Sequence, residues 1–278
     1  MLTYQEIVEK LKQTGIESDS ILLVHSSLKS LGKIEGGAQT VIAALRGVVK
    51  DGTLVMPTLS YTNWETVFED WSLDRPSDTG LITETFRRLP NAFRSDNETH
   101  SVAALGVHAA DITGGKNGVG ARYGIFGDYC FSHESAWQRM YDSRTRYGVK
   151  AYVMFWGVSM LYNTFKHFAE YRYVEELLCG VSDLEKRDRL KAELSHYPFS
   201  PSAEPYELTW PFYNSEAYQD VLLDRGIAKK FALGEGEIVF ADIFDSVNEV
   251  EKDLRKYPKQ MLFEKAYEWV KKVEKATP

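Results

Sequence analysis

The chain has 278 residues, 44% of them hydrophobic and 26% charged, with a formal net charge of −7. A chain of this size buries enough surface to fold as one large domain or two small ones without staples, which excludes disorder as the main state. Two cysteines, an acidic balance and apolar runs far below the roughly 20 residues of a membrane span exclude a disulfide framework, a cysteine zinc site, a nucleic-acid groove and a spanning helix.

Thr3-Tyr4-Gln5-Glu6 has capping-box spacing and predicts a short helix carrying Ile7, Val8 and Leu11 as far as Gly15. No basic segment followed by an apolar stretch precedes it, so the expected location is the cytoplasm. Ser20 to Val24 reads as a strand, and Gly36-Gly37 opens a helix with Val41, Ile42, Leu45, Val48 and Val49 on one face. Asp51-Gly52 then turns into a second strand, Thr53 to Met56, stopped by Pro57. This is a βαβ unit, and its continuously apolar strands predict burial on both faces, as in a parallel sheet.

Further strands are expected at Ser101 to Leu105 and Val149 to Val158, with a helix from about Tyr162 to Leu178. Past Cys179, Pro198, Pro201, Pro205 and Pro211 predict loops. Ile227 to Phe240 reads as a hairpin around Gly234-Glu235-Gly236, and two helices finish the chain.

His25-Ser26-Ser27 falls at the end of the first strand, where hydroxyls and backbone N–H groups either satisfy the turn or hold a polar ligand. Gly36-Gly37 resembles a phosphate-binding helix start but lacks both the P-loop lysine and the three-glycine dinucleotide pattern. Thr99-His100-Ser101 stands at a strand entrance. In the segment from Asn163 to Glu170, the spacing puts Thr164, His167 and Glu170 on one helix face. A carboxylate one turn from an imidazole accepts a hydrogen bond from one ring nitrogen and leaves proton chemistry to the other, a general-base dyad. By spacing alone, a solvated His/Glu pair and a structural His100 stay open as alternatives. No metal is expected, because no second histidine follows at helical spacing and His133-Glu134 does not continue to His-Glu-x-x-His.

Taken in order, Val24-His25-Ser26-Ser27-Leu28, Leu31-Gly32, Gly36-Gly37, Thr53 to Thr58, Arg94-Ser95, Thr99 to Gly106, and Asn163-Thr164 with His167, Ala169 and Glu170 resemble the aminoglycoside 3-N-acetyltransferase family and its amino-sugar N-acyltransferase relatives. The match spans about residues 20 to 175 and is loose beyond. The resemblance implies a three-layer α/β/α-type sheet with a loop-rich C-terminal part. It also implies acetyl-CoA or another short-chain acyl-CoA as cosubstrate and an amino sugar as acceptor. Carried over position by position, Ser26, Ser27 and Leu28 with Ser101 and Val102 would line the CoA channel, near Gly36 and Gly37. His167 would be the general base, Glu170 its orienting partner, Thr164 a neighbour of the thioester and His100 a second acid/base or positioning residue. The expected organisation is one domain over 1–278. Residues 1–180 would bind CoA and carry the chemistry, and 181–278 would complete the acceptor pocket, form a substrate lid or make a homodimer interface.

Departures from the family bear on the acceptor. Asn97-Glu98 replaces a His-Pro, and the apolar Met160-Leu161-Tyr162 replaces a polar, often acidic stretch. The departures fit a nucleotide-linked amino-deoxy sugar with a single amine as well as an antibiotic, although Glu65, Glu69, Asp70, Asp74 and Asp128 are candidates for a cation pocket. Two other readings are a CoA or small-molecule binding protein without turnover and a metal-dependent hydrolase using His100, His133 or His167.

Overall fold

A computed structural model describes residues 1–60, 71–114, 130–131, 133–194 and 212–278. In chain order the N-terminal part gives α1 (Tyr4–Lys12), β1 (Ile21–Ser26), α2 (Gly37–Val48), β2 (Thr53–Pro57), α3 (Leu81–Arg87), β3 (Phe93–Arg94) and β4 (Val102–Gly106). Then come α4 (Ala109–Thr113), α5 (Ala136–Tyr141), α6 (Ser143–Arg146), β5 (Ala151–Trp156) and α7 (Phe165–Cys179). The chain continues with α8 (Leu184–Ala192), α9 (Ser215–Asp224), β6 (Ala228–Leu233), β7 (Gly236–Asp242), α10 (Ile243–Lys256), α11 (Pro258–Met261) and α12 (Glu264–Ala276). The capping box of α1 is present in full, with Thr3 N–H donating to the Glu6 carboxylate at 2.8 Å and Thr3 Oγ1 accepting from Glu6 N–H.

Among the described residues seven strands form one sheet in the order β3-β4-β2-β1-β5-β7-β6. β1 is parallel to both β2 and β5, but β4 runs antiparallel to β2, β3 to β4, β7 to β5 and β6 to β7. The sheet is therefore mixed, not parallel throughout. Apolar continuity in β2 and β5 reports that helices cover both faces; it carries no information on strand direction. The period-two alternation divides β1 between the two faces. Leu22 and Val24 pack with Val41 and Leu45 of α2, Leu11 of α1 and Phe86 of α3. Ile21 and Leu23 pack with Phe168 and Val174 of α7, Val247 of α10 and Trp269 of α12. The result is the α/β/α layering that the sequence resemblance implies. The hairpin β6-β7, from beyond residue 180, pairs with β5 and extends the same sheet.

Boundaries differ from the sequence reading in instructive places. The helix expected from Tyr162 begins at Phe165, because Met160–Tyr162 forms a separate 3-10 turn and Asn163 Oδ1 accepts from Phe165 N–H. The strand expected from Ser101 begins at Val102, since the Ser101 hydroxyl is drawn into a side-chain network with Thr58 and Arg94. Pro198, Pro201, Pro205 and Pro211 lie outside the described residues.

Candidate active site

The helices after β1 and β5, α2 and α7, lie on opposite faces of the sheet. A crevice must therefore open where the two parallel strands end, the usual place for a ligand in an open α/β sheet. A cavity of 720 Å³ lies there, at the carboxyl ends of β1, β2 and β5. Its floor is His25 and Ser26 from β1 with Ser27 just after it, Pro57 from β2, and Gly157 and Val158 after β5. Gly157 has φ +68°, and a Cβ there would stand 2.7 Å from that of Ser30, so the turn out of β5 requires glycine. One wall is the loop Asp78-Thr79-Gly80, pinned by Thr79 Oγ1 donating to the Pro57 carbonyl at 2.7 Å. The opposite wall is Leu161 to Thr164 with Lys166 and His167.

His167 and Glu170 form the expected pair, with His167 Nδ1 and Glu170 Oε2 2.8 Å apart. Glu170 is fully buried, and its other oxygen accepts from the backbone N–H groups of Phe212 and Tyr213. Burial raises the Glu170 carboxyl to about 8 against the pull of those two donors and the Lys166 ammonium. Burial, reinforced by Lys166, holds the His167 imidazole well below its usual value. With Nδ1 bound to the carboxylate, proton chemistry at this ring falls to Nε2.

His100 stands edge-on to His167, with ring centroids 6.5 Å apart. Its Nδ1 is 2.9 Å from Thr99 Oγ1, which also lies within hydrogen-bond distance of Asn97 Oδ1. The Thr99 hydroxyl has one proton to place on Asn97 Oδ1 or on His100 Nδ1, and that choice sets the tautomer of His100. Burial keeps this imidazole neutral too. Two neighbouring neutral imidazoles thus line the cavity, an arrangement that suits an ammonium about to lose a proton.

Of the residues singled out in the sequence, Ser26, Ser27, His100, Thr164 and His167 line the cavity. Glu170 stands behind His167. Leu28, Gly36, Gly37, Ser101 and Val102 do not line it: Ser101 bonds to Thr58 and Arg94, and Gly36-Gly37 starts α2 with both φ values positive. Asp74 is exposed and outside the lining, whereas Glu65, Glu69, Asp70 and Asp128 lie outside the described residues. Sequence reasoning passed over Lys166, Asp78 and the ring of His25. Lys166 and His25 sat inside recognised motifs, and strand-end placement was the available signal; Asp78 lies in a loop without periodicity or motif. His133 pairs with Glu175 on the surface. Cys130 is a buried free thiol, pushed up by burial, and Cys179 is an exposed one.

The same fold occurs in the apoenzyme of aminoglycoside acetyltransferase AAC(3)-IVa, with a TM-score of 0.68 and 22% identity over 99% of this chain and 98% of that one. It also occurs in AAC-IIIb solved as a binary complex with CoASH, with a TM-score of 0.63 and 18% identity over 91% and 96% of the two chains. In sequence, the chain is 31% identical over 192 residues to the SPbeta prophage-derived aminoglycoside N(3')-acetyltransferase-like protein YokD of Bacillus subtilis strain 168. That match spans 61% of this chain and 65% of the relative. A family model described as aminoglycoside 3-N-acetyltransferase matches residues 23–255, and the chain belongs to that family.

Proposed function

We propose that the protein is a CoA-dependent N-acyltransferase that moves an acetyl or other short acyl group from acyl-CoA to the amine of an amino sugar. The observation that carries this reading is the His167–Glu170 pair set on the wall of a cavity at the strand ends. Family membership and a CoA-bound neighbour of the same fold support the donor.

The acceptor enters as an ammonium and must lose a proton before its nitrogen becomes nucleophilic. His167 Nε2 takes that proton, Glu170 stabilising the imidazolium through Nδ1. The nitrogen attacks the thioester carbonyl carbon, the N–C bond forms, the nitrogen gives its second proton to solvent, and collapse of the tetrahedral intermediate breaks the C–S bond. The departing thiolate receives the proton from His167, and the products are an amide and free CoA. The Ser26 hydroxyl, buried and without a hydrogen-bond partner among the described residues, is a donor for the developing oxyanion, with Thr164 as a second. Holding donor and acceptor in line supplies the rest of the acceleration, and neither cysteine takes part.

Release of free thiol from acetyl-CoA, assayed with aminoglycosides and with nucleotide-linked amino sugars, tests this. His167→Ala should lower the rate by about 100-fold or more. CoA binding without turnover of any amine would instead make the protein a binding module.

A further inference from the structure

Lys166 lies in the first turn of α7, and its side chain lines the cavity beside His167. Its Nζ donates to the Leu161 carbonyl oxygen at 2.6 Å. An ammonium has three N–H donors, and no carboxylate of the described residues forms an ion pair with this one. Its field reaches both His25 and His167, which places the charge among the rings of the site.

The three histidines that line the cavity are held neutral by burial. Among the described lining residues the fixed charges are therefore Lys166 and Asp78. Burial strips the Lys166 cation of part of its hydration, the field of Glu170 behind His167 offsets some of that cost, and a ligand anion in direct contact offsets more. The positive end of the α7 dipole lies on the same wall and has the same sign. An acceptor with a second ammonium beside the reacting amine would meet repulsion at this place.

We propose that Lys166 is an anion-recognition residue and that the acceptor is an amino sugar bearing a phosphate or carboxylate close to its reacting nitrogen. This rests on the N-acyltransferase reading and narrows its substrate class, favouring sugar phosphates and sugar carboxylates over polycationic aminoglycosides. Lys166 gives such an anion two further N–H donors, orients the sugar, and brings its amine against Nε2 of His167.

Calorimetric titration with glucosamine, glucosamine 1-phosphate and muramic acid, whose lactyl carboxylate hangs from O3 beside the C2 amine, without an acyl donor, tests the site independently of turnover. The parent should bind the two anionic sugars about tenfold more tightly than glucosamine. Lys166→Met should bring all three to within about twofold, while Lys166→Arg keeps the preference and so controls for folding. A larger gain from phosphate or from carboxylate identifies which anion the site takes. Equal binding of all three, no binding of any, or a preference that survives Lys166→Met overturns the proposal. Thiol release with the same sugars and acetyl-CoA then separates the two readings. A binding preference without turnover of any amine refutes the transferase and leaves the anion site standing. Turnover fastest with an aminoglycoside and unchanged in Lys166→Met refutes the anion site and leaves the transferase.

Discussion

Glu170 does two jobs with its two oxygens, fixing the His167 ring through one and holding Phe212 and Tyr213 through the other. Glu170→Gln separates them. The amide oxygen can keep the backbone donors, but the NH2 group then faces Nδ1 and forces the tautomer protonated at Nε2, which cannot take a proton. The rate should fall about 100-fold or more, with the KM for acyl-CoA and the thermal midpoint close to the parent's. A rate within a fewfold of the parent would remove the orienting role. In the proposed mechanism the pair also sets the pH dependence. Its active form has an ionised carboxylate and a neutral imidazole, so both protons must leave, and burial raises the carboxyl to about 8 while holding the imidazole low. Hence kcat/KM should rise with pH through the last deprotonation, well above the ordinary carboxylate range; a flat profile across neutral pH would contradict this. The hydrogen-bonded pairing of His167 and Glu170 was legible in the sequence because three-residue spacing on a helix is local. The Lys166 charge and the His25 ring were not, since the convergence of β1, β5 and α7 decides which side chains enter the cavity.

Among the elements, the shortest strand carries the most concentrated set of side-chain bonds. Arg94, on the two-residue β3, bonds through its buried guanidinium to Thr58, Ser60 and Ser101 and to the carbonyls of Leu73 and Arg75. Burial lowers its pKa to about 10, still far above neutrality, so it stays charged and every donor counts. It ties the end of β2 to the loop that brings Asp78 and Thr79 to the cavity. Lysine cannot reproduce this fork, and Arg94→Lys should cost about 2 kcal/mol in urea denaturation and raise the KM for the acceptor. A neutral effect on both would show that the loop is held by its other bonds. The sequence drew attention to Arg94-Ser95 as a motif but gave no sign of a strand, because two residues carry no period. The capping box, β1-α2-β2 and the β6-β7 hairpin were readable, each resting on local spacing or turn chemistry. The antiparallel pairings of β4 and β7 were not, because apolar runs record coverage by helices and not direction.

For the whole molecule, the acid limb of stability follows from histidines buried in neutral form. In the unfolded chain His25 takes a proton at the ordinary 6.5, whereas in the folded protein burial, aided by Lys166, lowers it to about 3. The unfolded state therefore binds more protons between these values, and stability falls as pH drops below 6.5. His100 acts in the same direction. At the His167–Glu170 pair the signs oppose: the lowered His167 loses stability on acidification, whereas the raised Glu170 carboxyl regains it as pH falls from about 8 toward 4.5. The net loss over this window is thus carried mainly by His25 and His100, before carboxylates such as Glu17, lowered to about 2, begin to lose their partners. His25→Phe isolates one share. The ring stacks on Phe155 at 5.5 Å and its buried Nε2 has no partner among the described residues, so phenylalanine keeps the stack and forfeits no hydrogen bond at that atom. Between about pH 7.5 and about pH 5 the parent should lose about 2 kcal/mol more than the variant, read from urea unfolding at both values. Equal losses would mean that His25 takes its proton without unfolding, and the cavity floor would then hold a cation at mildly acidic pH.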